Sequence, residues 1–398
     1  MTTRPPRRRL LGALALAVAS VLGAAGCASF ASAATPQSWA SADPLPPETG
    51  PSPSVPGSGG GQGAVPGAGG DNSAPVPPPQ GCEDFNPAVI ATCLDTVDAV
   101  AALPGTADDP VGLAAERTTG RILKVHKGDA VATVATLTVD PTGDGGLTGL
   151  ALSPTYTQDQ LIFAYITTPT DNRVVRIAPG DTPKPVLTGI PRGSTDNRGV
   201  LALDHTGALL VATGDAGNPA LSADPTSLAG KVLRIDVDGA PAVGDPTPGS
   251  PIVASGLVDP GGVCSSLDGS AQWVTDRKPA EDVLYRIAAG KALSEPAWTW
   301  PDRPGVAGCA AFSTSVMVAT AIAGNVQSIS LNSDGSFTGT PQVALSGAGG
   351  FGRLSGVDII NDSTAMAGTV NKDGGKPVSS DDRVVVISGS AATGGGQD

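Results

Sequence analysis

Histidine is the side chain that most often supplies acid–base chemistry near neutral pH, and this chain of 398 residues contains two, His126 and His205. Each lies in a short polar segment typical of a turn, so we expect both to be solvated. With so few imidazoles, Ser/His/Asp triads, Cys/His pairs and multi-histidine zinc sites are largely excluded. The Asp-rich segments 140–146 and 236–239 resemble calcium loops only loosely, and we interpret them as ordinary turns.

Five cysteines form the second chemically active group. Cys27 ends the sequence Ala-Ala-Gly-Cys, which resembles a bacterial lipobox, where a peptidase cuts before a cysteine that then carries diacylglycerol and palmitate. Removing a lipidated Cys27 leaves an even set, for which three pairings exist. Since exported proteins meet oxidising conditions, we expect disulfides, with a short loop from Cys82 to Cys93 and a link from Cys264 to Cys309. The alternative is that these four are buried free thiols.

The ends of the chain differ in composition from its centre. Four arginines precede a short apolar stretch, which predicts a lipoprotein signal peptide at 1–26. A second cleavage position after residue 33 would instead give a secreted soluble protein, and residues 6–11 also resemble a twin-arginine export signal. Residues 27–80 are rich in Pro, Gly and Ser and predict a disordered tether, and 389–398 predict a disordered tail. We therefore expect a protein held by lipid on the outer face of the cell membrane.

The charge of the chain limits its partners. Lys and Arg total 24 against 37 Asp and Glu, a net charge of −13. Nucleic acid is close to excluded as a partner, because a phosphate backbone requires a basic face.

The elements that must position any site form a repeat between residues 81 and 388. Six aliphatic segments recur about every 52 residues, at 121–125, 173–177, 231–235, 284–287, 327–331 and 383–387. A second strand precedes each of them, at 112–116, 161–166, 209–213, 271–275, 316–320 and 364–368. About four strands per repeat predict an all-β, six-bladed β-propeller rather than a large β-sandwich. The only stretch with helical character is a short one around 87–102.

Several segments of this region resemble the glucose/sorbosone dehydrogenase family. They are ERTTGRILKV at 116–125, GGLTGLALSPTY at 145–156, TGDAGN at 213–218 and GKVLRID at 230–236. The resemblance spans nearly all of 81–388. It implies a six-bladed propeller and, for many members, sugar oxidation with pyrroloquinoline quinone (PQQ) and calcium.

The residues that this chemistry requires are mostly replaced. Where the family has its histidine base, this chain has Asp196 or its neighbour Asn197. The family's His-Arg-Asn-Pro loop corresponds to 256–260, where Asp259 precedes the surviving proline. A cofactor-binding lysine corresponds to the apolar segment 321–324, and of a late arginine pair only Arg353 remains. The adjacent acids Glu281 and Asp282 are weak candidates for calcium ligands.

These replacements favour a binding protein over an enzyme. A missing general base commonly costs about 10²- to 10⁴-fold in rate, although a buried aspartate with a raised pKa can act as one. We therefore predict a module that binds a small molecule or an envelope protein or glycan through Asp196, Asn197, Asp259 and Arg353, with no catalytic residue assigned. The alternative is a PQQ-dependent sugar or alcohol dehydrogenase with a divergent site, and convergence of those four residues at one channel mouth is the test of the binding hypothesis.

Overall fold

The computed structural model describes residues 76–389. The predicted signal peptide, the lipidated Cys27, nearly all of the tether and the tail after residue 389 lie outside the described residues. Within 76–389 the chain forms six antiparallel blades around a central axis, which confirms the predicted all-β, six-bladed propeller. None of the helices in this part of the chain has the length and apolar character needed to cross a membrane.

The blades follow one another along the chain, each starting at the axis and running outward. In chain order the strands are β1 Val89–Ala91, β2 Val97–Ala102, β3 Val111–Glu116, β4 Arg121–His126, β5 Ala132–Thr136, β6 Leu147–Leu152, β7 Ile162–Thr167, β8 Asn172–Ile177, β9 Lys184–Ile190, β10 Gly199–Leu203, β11 Leu209–Thr213, β12 Lys231–Ile235, β13 Ile252–Ser255, β14 Pro260–Ser265, β15 Gln272–Arg277, β16 Asp282–Arg286, β17 Lys291–Ala292, β18 Trp298–Trp300, β19 Val306–Ala311, β20 Ser315–Thr320, β21 Val326–Leu331, β22 Phe337–Ala344, β23 Leu354–Asn361, β24 Thr364–Thr369 and β25 Val384–Ser388. The connections between strands contain two short helices, α1 Tyr156–Asp159 and α2 Pro219–Ala223, and a 3₁₀ turn at Gly347–Gly349.

The sheet orders define the blades. The first five blades, from the axis outward, are β2-β3-β4-β5, β6-β7-β8-β9, β10-β11-β12-β13, β14-β15-β16-β18 and β19-β20-β21-β22, and β17 adds a parallel edge to the third. Each aliphatic segment predicted from the sequence is the third strand of a blade, from β4 to β25. These strands are buried on both faces between neighbouring blades, which explains their aliphatic composition.

The amino-terminal strand closes the ring. β1 is the outermost strand of the sixth blade, whose order is β23-β24-β25-β1, with Val89 opposite Val385. The predicted helix around 87–102 is therefore wrong: β1 and β2 occupy that segment, because pairing with distant strands overrides its local preference.

Both predicted disulfides are confirmed. Cys82 pairs with Cys93 beside β1, and Cys264 of β14 pairs with Cys309 of β19. The first disulfide joins the segment that precedes β1 to the segment that follows it. The second joins the inner strands of the fourth and fifth blades.

Glycines allow the inner strands to approach one another at the axis. A Cβ on Gly262 of β14 would lie 2.6 Å from the Cα of Gly308 in β19, and a Cβ on Gly308 would lie 2.4 Å from the backbone nitrogen of Val357 in β23. Backbone atoms cannot move aside at such distances, so these positions require glycine. The inner strands β2, β6, β10, β14, β19 and β23 thus pack as a narrow ring around a channel.

Candidate functional site

One mouth of the axial channel carries most of the charged groups near the axis. All inner strands of a propeller run in the same direction, so the residues that precede them collect at one end. Asn197 lies two residues before β10, Asp259 directly before β14 and Arg353 directly before β23, while Asp196 precedes Asn197. The four sequence-predicted candidates therefore lie at this end of their blades.

Three carboxylates from three blade entrances come together there. One oxygen each of Asp144, Asp196 and Asp259 lies within 4.8 Å of the others. Asp144, just before β6, is held by Asn197, whose backbone N–H donates to its Oδ2 at 3.0 Å and whose Nδ2 donates to its Oδ1 at 3.3 Å. Asp196 has φ of +54°, a left-handed conformation that Asp and Asn tolerate better than most residues. Asn197 therefore positions the acidic cluster, which we define as Asp144, Asp196 and Asp259.

A fourth carboxylate lies beside this cluster. Asp215 follows β11, its side chain is buried with the residue 1% exposed, and its Oδ2 has no hydrogen-bond partner. Its backbone N–H donates to the carbonyl of Val258 at 2.8 Å, and the next N–H, of Ala216, donates to the carbonyl of Asp196 at 3.0 Å. These bonds fix Asp215 between the loops that carry Asp196 and Asp259.

Burial and mutual repulsion disfavour the ionised forms of these acids. Burial raises the pKa of Asp196, and the neighbouring Asp144 and Asp215 raise it further. Burial also raises the pKa of Asp259 despite the opposing effect of Arg277, and burial and Asp259 raise the pKa of Asp215. Each of these three carboxyl groups therefore holds a proton more strongly than a free aspartate does.

Two of the guanidinium groups near the axis, those of Arg277 and Arg198, are already engaged. Arg277, at the end of β15, places Nε 3.0 Å from Asp259 Oδ2. Arg198 extends from the entrance of the third blade to Asp98 in β2, with Nη1 and Nη2 2.8 and 2.9 Å from the two carboxylate oxygens. Ser355 of the sixth blade donates its hydroxyl to Asp98 Oδ1 at 2.7 Å.

The Arg198–Asp98 pair lies across the channel, because it joins the third blade to the first and sixth. It lies between the acidic mouth and the other end of the axis. At that other end lies a cavity of about 560 Å³ lined by the distal halves of the inner strands, by the Cys264–Cys309 disulfide and by the carboxylate of Asp358. The acidic mouth and this cavity thus lie at opposite ends of the inner strands.

The remaining predicted residues have other surroundings. The Nε of Arg353 is buried without a hydrogen-bond partner, and its backbone N–H donates to Asn371 Oδ1 at 2.7 Å. Asp282 Oδ2 accepts the backbone N–H groups of Gly305 and Val306 at 2.6 and 3.0 Å, a bond set that fixes the entrance of the fifth blade. A cation at Glu281 and Asp282 stays a prediction, and the acidic cluster that forms in the structure is a different one.

Sequence reasoning missed the partners of the predicted residues. Asp144 was interpreted as a turn residue, and Asp98, Arg198 and Asp215 were not singled out. Asp215 lies within TGDAGN, one of the segments that resemble the family, and Arg198 directly follows Asn197. Arg198 directly precedes the inner strand β10 and Asp144 shortly precedes β6, and this position was the available signal. Asp98 lies within β2 and Asp215 follows the second strand β11, so neither has that signal.

The family to which the chain belongs follows from comparison with known proteins. The glucose/sorbosone dehydrogenase model matches residues 99–304, more than half of the sequence, and the chain belongs to that family. A comparison with curated protein sequences gave no match.

Solved structures with the same fold include sugar dehydrogenases. The PQQ-bound aldose sugar dehydrogenase of Streptomyces coelicolor is 29% identical, with TM-score 0.69 over 75% of this chain and 95% of that one. A putative glucose dehydrogenase of Thermus thermophilus is also 29% identical, with TM-score 0.68 over 75% and 98%. The aldose sugar dehydrogenase of Escherichia coli, 20% identical with TM-score 0.65 over 75% and 98%, shares the fold.

The mouth of this propeller is a poor match to the quinone cofactor of such enzymes. PQQ is itself a polycarboxylate, so its site requires free cationic groups. Here the carboxylates of Asp144, Asp196 and Asp259 converge at the mouth, Arg277 is paired with Asp259 and Arg198 with Asp98. Of the guanidinium groups of Arg198, Arg277 and Arg353, that leaves only Arg353, whose Nε has no hydrogen-bond partner, to balance the carboxylates of the quinone. Like charges about 4.8 Å apart repel by roughly 3 kcal/mol per pair at an effective dielectric constant of about 20. The residues present therefore do not fit the quinone.

Proposed function

We propose that this protein is an exported, lipid-anchored binding protein, built on a sugar-dehydrogenase propeller that has lost quinone catalysis. The observation that carries the proposal is the acidic cluster at the channel mouth. The position that the resemblance assigns to a histidine base belongs to that cluster, and the guanidinium groups of Arg277 and Arg198 are paired with carboxylates. A neutral or cationic ligand suits this mouth better than an anionic one.

The export part of the proposal rests on the amino-terminal sequence. A signal peptide ending before Cys27, followed by a long polar tether, is the organisation expected of a protein held at the outer face of the membrane. The confirmed disulfides support an oxidising location. Mass spectrometry of the protein from its own membrane tests it, with lipid expected on Cys27 and release to the medium expected for Cys27→Ala. A mature chain beginning after residue 33 would contradict the anchor.

The loss of catalysis is tested by dye reduction. The purified full chain is incubated with PQQ, calcium and a panel of aldoses, and the Streptomyces coelicolor enzyme under the same conditions serves as the positive control. We expect no aldose-dependent reduction. Clear turnover would overturn the proposal.

A PQQ-dependent dehydrogenase with a divergent site is the second candidate function. The observation in its favour is the raised pKa of Asp196, since a carboxylate with a raised pKa is a better general base. Turnover, if it is found, is measured again in Asp196→Asn to test whether Asp196 is the general base. Its loss in that variant would assign the proton transfer to Asp196.

A further inference from the structure

The acidic cluster has the dimensions of a calcium site. Calcium binds oxygen ligands at roughly 2.3–2.6 Å, so two oxygens on one ion lie at most about 5 Å apart. One oxygen from each of Asp144, Asp196 and Asp259 meets that limit, at 4.8 Å or less. All three ligands are carboxylates, which suit a hard cation rather than zinc.

A buried, unpartnered oxygen points to the same ligand. Asp215 is 1% exposed and one of its oxygens has no hydrogen-bond partner, a costly state for a carboxylate unless a cation or proton occupies the space beside it. Its backbone N–H donates to the carbonyl of Val258 and the next N–H donates to the carbonyl of Asp196, so it lies between the loops that carry Asp196 and Asp259. Asp259 Oδ1 is likewise buried and unpartnered.

The charge balance leaves room for a divalent ion. Among the described residues at this mouth, Arg277 is the guanidinium that contacts the cluster, through Asp259. Arg198 is held by Asp98 and also interacts with the charges of Asp259 and Asp144. Arg117 donates Nη1 to the two carbonyls that flank Asp144 and is itself paired with Asp373. Four carboxylates are therefore opposed by one directly paired guanidinium and by two that other carboxylates hold, and a divalent cation would reduce the remaining repulsion.

We propose that Asp144, Asp196 and Asp259 bind a calcium ion at the channel mouth, with Asp215 as a further oxygen ligand. This proposal rests on the proposed binding function and names a cation as its first ligand. The ion is distinct from one that polarises a quinone, since its ligands include the residue at the position of the family's histidine and it requires no quinone.

The test is a calcium titration of the purified full chain after treatment with a chelator, followed by isothermal titration calorimetry without PQQ. We expect one ion per chain, bound in the micromolar to millimolar range. Asp196→Asn is the sharpest variant, because Asn tolerates the left-handed backbone of this position and removes only charge. It should weaken calcium binding at least tenfold, as should Asp259→Asn. Glu295→Gln, an exposed carboxylate outside the cluster, is the matched control and should bind like the natural protein.

Thermal unfolding gives a second readout. Calcium should raise the Tm of the natural protein and of Glu295→Gln but not that of Asp196→Asn, whose own Tm without calcium should equal or exceed the natural value because a repulsive charge is gone. No calcium binding, or binding that Asp196→Asn and Asp259→Asn leave unchanged, would overturn the calcium site. PQQ-dependent turnover would overturn the proposed function instead, so the two failures are distinguishable.

Discussion

Removing Asp98 should cost far more stability than removing Asp98 together with Arg198. The two side chains are 2% and 9% exposed and form a two-pronged ion pair across the channel. In Asp98→Ala the guanidinium of Arg198 keeps its charge in a buried position without its partner. Breaking a buried pair in this way costs about 3–5 kcal/mol, and the Ser355 hydroxyl also loses its acceptor.

The double variant Asp98→Leu with Arg198→Met replaces the pair with apolar side chains. Such replacements are commonly neutral or stabilising, so we expect a free energy of unfolding within about 1 kcal/mol of the natural protein. The loss of stability caused by Arg198→Met alone should depend on pH. The carboxyl left behind can take up a proton, so the cost of this variant should shrink as the pH falls toward about 4.

Urea unfolding of the full chain, followed by circular dichroism and tryptophan fluorescence, measures these differences. The indole of Trp273 is buried between blades and reports the loss of packing. A cost of less than about 1 kcal/mol for Asp98→Ala would contradict this prediction, because it would mean that water reaches Arg198. A double variant as unstable as Asp98→Ala would contradict it as well.

Three further predictions concern other parts of the ring. Burial raises the pKa of Asp358 to about 6, so the stability that its protonated form contributes is present below about pH 4 and is lost as the pH rises through about 6. Asp358→Asn should therefore raise the free energy of unfolding at about pH 7 by about 1–2 kcal/mol and flatten its pH dependence. A free energy of unfolding below that of the natural protein at this pH would contradict the prediction. Replacing Cys264 and Cys309 by Ala opens a link between residues 45 apart and should cost about 4 kcal/mol in urea unfolding, whereas no change would show that the inner strands hold each other without it. The buried Lys231 donates its Nζ to three carbonyls at 2.7–2.9 Å, so Lys231→Met should lower stability by about 3 kcal/mol, and a loss below about 1 kcal/mol in thermal unfolding would refute that role.

Strands with strong local signals were predictable from the sequence. β4, β8 and β12 begin and end within one residue of the predicted segments, because strands buried on both faces need unbroken aliphatic runs. Outer strands such as β5 and β22 are mostly exposed and carry no such run, so their existence followed only from the repeat length. β1 was interpreted as helical because its partner β25 lies almost 300 residues away.

The candidate site was predictable in part. Asp196 and Asp259 were found because the resemblance aligned their loops with functional loops of a family. Asp144 and Asp215 belong to glycine-rich turns, and a turn sequence alone does not show which way its carboxylate points. Their convergence depends on the ring closing, which brings together residues from the second, third and fourth blades.

The position of the Cys82–Cys93 bridge determines how the ring responds to a mechanical load. β1, at Val89–Ala91, lies inside the loop that this bridge closes. Tension applied to the chain before Cys82 passes through the sulfur atoms to Cys93 and on to β2, so it bypasses the closing strand. Asp84, which pairs with Arg383, lies within the same unloaded loop. Tension from the amino-terminal side therefore reaches β2 without loading the seam between β1 and β25 directly.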